Sequence, residues 1–71
     1  MVDILKLKGK IVEKGFNVER LAKSTGGSKH VLYQRLKKSE DFTVKEVVAI
    51  ANVLDLNSEE LNDIFFSNII A

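Results

Sequence analysis

Arg20 to Lys38 reads RLAKSTGGSKHVLYQRLKK, and this stretch decides the fold. It holds six basic side chains, Arg20, Lys23, Lys29, Arg35, Lys37 and Lys38, and no acidic one. Asn17, just upstream, is a good N-cap and predicts a short helix from Val18 to Ser24, with Leu21 and Ala22 inward and Glu19, Arg20 and Lys23 toward water. Thr25-Gly26-Gly27 predicts a turn, because glycine takes a positive φ without steric cost. Ser28 then caps a third helix to about Lys38, with Val31, Leu32 and Leu36 as its core contacts. A helix of barely two turns does not persist alone, so the second helix must be held against a neighbour.

Working outward, Asp3 predicts the start of a first helix running through Lys14, with Ile4, Leu7, Ile11 and Val12 on one stripe and Gly15 as a left-handed stop. Gly9 weakens this helix by about 1 kcal/mol relative to alanine. Downstream, Ser39 to Phe42 reads as a loop. Thr43 with Glu46 has the spacing of a capping box and opens a fourth helix. Val44, Val47, Val48, Ala51 and Leu54 recur at helical spacing, which predicts that this helix is the most buried. Ser58 is the expected cap of a fifth helix, whose first turn carries acid where the macrodipole favours it. Leu61, Ile64 and Phe65 form its inner face, and Phe66 to Ala71 trail off.

The expected class is therefore all-α, a compact five-helix domain over residues 1–71. A chain of 71 residues buries only about 60% of the surface it exposes when unfolded, so its stability is modest and a deep enzyme pocket would compete with its core. There is no cysteine, which excludes disulfides and thiolate metal sites and fits a reducing compartment. Lysines at 6, 8, 10 and 14 interrupt any signal-peptide core. The longest apolar run, Val47 to Ala51, is far below the ~20 residues of a membrane span. The expectation is a cytoplasmic protein with no membrane partner.

Net charge is +1, but it is polarised: residues 1–19 carry +1, residues 20–38 carry +6 and residues 39–71 carry −6. Such asymmetry points to a nucleic-acid or acidic-protein partner for the basic segment. Chemistry of other kinds finds little support. His30 is the only histidine, so a metal site or a catalytic triad has nothing to build on. Gly26-Gly27 lacks the preceding strand and the following Gly-Lys-Ser/Thr of a phosphate loop. Glu59, Glu60 and Asp63 read as first-turn acids of a helix. The expectation is no enzyme, no metal and no cofactor.

A helix-turn-helix needs a small residue where the helices close, a turn glycine and apolar locks on the second helix. Ala22, Gly26 and the trio Leu21, Leu32 and Leu36 supply them. On these residues the chain resembles the lambda-repressor and Cro superfamily of DNA-binding domains, over nearly its whole length. Leu7-Lys8-Gly9-Lys10-Ile11 and Phe65-Phe66 look more like small Cro-type regulators of phages of Gram-positive bacteria, including the modulator-of-repression proteins of lactococcal phages.

The resemblance implies a transcriptional regulator of a lysis/lysogeny switch, acting in a bacterial host cell. It would place its third helix in the major groove of double-stranded operator DNA, as a symmetric pair on paired half-sites. Carried over residue by residue, Ser28, Lys29, His30, Tyr33 and Gln34 form the reading face, with Lys37 and Lys38 near the flanking backbone. Lys29 can donate to guanine and Gln34 can make a paired contact to adenine. Ser28 or Tyr33 can reach phosphate or base edges. Tyr33 also reads as a half-buried packing residue.

Val18 stands where many members carry a phosphate-binding glutamine, and Glu19 follows it. These two residues favour an alternative, an antirepressor whose same face engages the DNA-binding N-terminal domain of a partner phage repressor. Phe65, Phe66, Ile69 and Ile70 are read either as core closure or as a homodimer contact.

Overall fold

Each helix begins at a side chain that accepts hydrogen bonds from backbone N–H groups left free in the first turn. The computed structural model describes residues 2–38 and 42–66, and over them the chain forms α1 (Ile4–Glu13), α2 (Val18–Thr25), α3 (Lys29–Lys37), α4 (Val44–Val53) and α5 (Ser58–Phe65). Asp3 accepts from Lys6 N–H, Asn17 from Arg20 N–H, and Ser28 from His30 and Val31 N–H. Thr43 and Glu46 close the expected capping box at α4. At α5 the cap lies one residue earlier than expected: Asn57, not Ser58, accepts from Glu60 N–H at 2.8 Å while Glu60 accepts from Asn57 N–H at 3.0 Å.

The ends of α1, α2 and α4 share one device. After α1, Phe16 N–H donates to Ile11 C=O and Gly15 N–H to Val12 C=O. After α2, Gly27 and Gly26 donate in the same way to Ala22 and Lys23, and after α4 Leu56 and Asp55 donate to Ala51 and Asn52. These are Schellman closures, each with a left-handed residue: Gly15 (φ 81°), Gly26 (φ 76°) and Asp55 (φ 53°).

The core takes residues from all five of these helices or their caps: Leu7 and Ile11, Leu21 and Ala22, Leu32 and Leu36, Ile50 and Leu54, Ile64 and Phe65. The principal packing sets α2 against α3 and α4, and α1 against α5. Asp3 N–H donates to the Ile64 carbonyl at 2.7 Å and fastens the start of α1 to α5. The radius of gyration is 11.0 Å, matching the roughly 11 Å of a compact chain of this length.

Two expectations about inward faces are corrected. Val12 is 74% exposed, because α1 turns Leu7 and Ile11 inward and the adjacent position points away from them. In α4, Val44 and Val48 are exposed at 80% and 52%, and the buried positions are Ile50 and the capping Leu54, with Val47 and Ala51 half-buried. α4 is therefore not the most buried helix. Phe65, read on the inner face of α5 and offered either as core closure or as a homodimer contact, is in the core with its ring edge-on to Phe42 at 6.1 Å. Phe66 is partly exposed, while Ile69 and Ile70 lie outside the described residues.

Candidate recognition face

The face is set by how α3 is locked in place. Ala22 is buried where α2 meets α3, and Gly26 turns the chain. Ser28 then starts α3, its Oγ accepting from His30 N–H at 3.1 Å. Leu32 and Leu36 anchor the helix from beneath. Arg35, half-buried, donates from Nε to Glu46 Oε1 of α4 at 3.0 Å.

Burial pushes the Glu46 carboxyl up. Hydrogen bonds from Thr43 N–H and from Arg35 outweigh that effect and hold it below the ordinary glutamate range. The pair is therefore charged at neutral pH, and it fixes the roll of α3 against α4.

With that roll fixed, Lys29, His30, Tyr33, Gln34 and Lys37 emerge on one exposed side, with Ser28 and Lys38 exposed at either end. Their positions advance by one, three or four residues, so they share a surface on a 3.6-residue helix. All seven residues expected at the site are exposed, five along one side of α3 and Ser28 and Lys38 at its two ends. Gln34 Nε2 lies 3.3 Å from His30 Nε2, so the amide donates when the imidazole carries its proton on Nδ1. This contact orients Gln34 outward and leaves its carbonyl oxygen and second N–H free for a ligand.

The basic charge of the segment divides into separate tasks. Arg20 Nη1 donates to Gly15 C=O at 2.9 Å, and its guanidinium lies 5.1 Å from the centre of the Phe16 ring. It braces the α1–α2 connection and is not part of the face. Arg35 is committed to Glu46. Lys29 Nζ lies 3.5 Å from Glu19 Oε2, an exposed pair of small energetic weight. Among the described residues Lys23, Lys37 and Lys38 have no acidic partner. Val18 is half-buried against the core rather than presented with α3.

The acid of α5 turns elsewhere. Glu60 accepts from Lys10 at 2.6 Å, Lys14 lies 3.8 Å from it, and Asp63 lies 3.6 Å from Lys6. The hydrogen bond from Lys10, with that from Asn57 N–H, lowers the Glu60 pKa, and Glu60 and Glu13 raise that of Lys10. Because α1 lysines take up these acids, neither Glu60 nor Asp63 offsets the positive charge of the α3 face.

One feature beside the face is absent from the sequence reading. Val12, Phe16, Val18 and Tyr33 line an apolar trough between α1 and α3. Its signal was available: Leu5 and Val12, seven residues apart, fall on the side of α1 away from Leu7 and Ile11.

Comparison with protein-family models, with curated proteins and with solved structures finds no significant match. Among the described residues no helix is long and apolar enough to cross a membrane.

Proposed function

We propose that the protein is a helix-turn-helix transcriptional regulator of a phage lysis/lysogeny switch, of the lambda-repressor-like kind, that binds operator DNA through α3. The observation that carries this reading is the single exposed side of α3, with Lys29, His30, Tyr33, Gln34 and Lys37 held outward by buried Leu32 and Leu36. Lys23, Lys37 and Lys38 supply charge for phosphates, and Gln34 supplies a paired donor and acceptor for a base edge. Titrating a duplex of the protein's own promoter region at two salt concentrations tests it. Each neutralised phosphate adds about 0.9 to the log-log salt slope. Equally weak binding to every sequence would sink the proposal.

A second reading is favoured by Glu19. Its carboxylate sits beside Lys29 at the edge of the face, where a polyanion repels it, and the apolar Val18 next to it is turned to the core. A partner repressor's DNA-binding domain has a surface shaped for phosphates and suits an acid at that position. In this reading the protein is an antirepressor that masks the partner's N-terminal domain. A stoichiometric complex in sizing chromatography, lost in Tyr33→Ala and Gln34→Ala, supports it; a complex unchanged by both substitutions refutes the shared face.

A further inference from the structure

α1 packs chiefly on α5, and α3 on α2, so α1 and α3 stand apart with a trough of about 440 Å³ between them. Buried Ile11 and Leu36 lie at its base, with the exposed Val12 and Tyr33 above them, Phe16, Asn17 and Val18 at one side, and Lys8 and Lys37 at its edges. A single exposed valine is ordinary on a protein surface, but exposed apolar groups continuous with an apolar hollow mark an interaction site. We propose that this trough docks an amphipathic helix of a partner protein, one with acidic residues flanking its apolar stripe.

The shape selects a segment over a small molecule. Pockets for small ligands enclose about 70–90% of the ligand surface, whereas Val12 and Tyr33 leave this hollow open to solvent. An apolar stripe laid along a groove is the recurrent way such a surface is filled. The charge selects the flanks. Lys8 of α1 and Lys37 of α3 line the trough, none of its lining residues is acidic, and neither lysine has an acidic partner among the described residues.

A second copy of this chain is a poor match among those residues, because α4, whose Val44 and Val48 are exposed, carries one acid, Glu46, already paired with Arg35. The apolar face of α5, the acid-rich helix, is buried through Ile64 and Phe65, and its Glu60 and Asp63 already meet lysines of α1. The trough shares Tyr33 and Lys37 with the α3 face, so its occupant would compete with whatever α3 contacts. Docking itself does not depend on what α3 reads.

The probe is a designed helical peptide with a leucine stripe flanked by glutamates, titrated into ¹⁵N-labelled protein, alongside the same peptide with lysine for glutamate. The expected result is amide shifts centred on Lys8, Val12, Val18 and Tyr33, with affinity weakened roughly tenfold by the lysine peptide and by Lys8→Glu. Val12→Asp, at an exposed site outside the α3 face, abolishes the shifts while leaving the circular dichroism unchanged. Equal affinity for both peptides, shifts centred elsewhere, or no binding overturns the proposal. So does self-association in sedimentation that Val12→Asp removes, which would give the trough to a second copy.

Discussion

Glu46 joins two elements at one atom: its Oε1 accepts from the N-cap Thr43 N–H and from Arg35 Nε. Its folded pKa is depressed, so the stability it contributes is present above the unfolded value and is lost as pH falls through the folded one. The melting temperature of the wild type should therefore drop on acidification below the ordinary glutamate range. Glu46→Gln should cost about 1 kcal/mol at neutral pH, as loss of a capping partner does, and flatten that acid limb in thermal melts. Glu19 separates the two functional readings by sign. Glu19→Gln should tighten operator binding severalfold if α3 meets DNA, and loosen the complex with the partner repressor if it meets protein. Paired titrations read both. That these seven residues are exposed along α3 and at its ends was legible in the sequence, because α3 has a marked start at Ser28 and a simple period. The roles of Arg20 and Arg35 were not, because charge counting cannot see a partner ring at Phe16 or a carboxylate eleven residues away.

Among the elements, α5 shows how a cap can be misplaced by one. Asn57 and Ser58 are both good caps, but only Asn57 has a glutamate three residues on that reaches back to it. Asn57→Ala should lower stability by about 1 kcal/mol in urea unfolding, and Ser58→Ala by less than about 0.5. α1 offers a gain instead. A methyl group added at the helical Gly9 meets nothing within 4 Å, so Gly9→Ala should raise the urea midpoint, equivalent to about 1 kcal/mol. α4 was the hardest to orient: VKEVVAIANV is apolar on most sides, so several stripes fit the period. The choice among them is made by α2, against which α4 packs, and a partner helix is not written in local spacing.

For the molecule as a whole, the margin is thin. At about 0.05–0.15 kcal/mol per residue, a chain of this size is stabilised by only roughly 4–11 kcal/mol. Leu54, 1% exposed, sits among the largest fully buried side chains. Leu54→Ala should cost about 2–5 kcal/mol and leave a substantial unfolded fraction near physiological temperature, visible as a low, broad thermal transition. Helix number and order were readable from five start signals, whereas the pairing of α1 with α5 was not, because no periodic pattern encodes which distant stripe covers which. That pairing, clasped by Asp3 N–H on the Ile64 carbonyl, has a consequence during synthesis. Translation delivers α1 first and the carbonyl that fastens it sixty-one residues later, an interval of roughly 3–12 seconds at about 5–20 residues per second. Until then Leu7 and Ile11 lack that cover, and a released fragment ending at Lys38 should be cut readily by protease within α1, unlike the full chain.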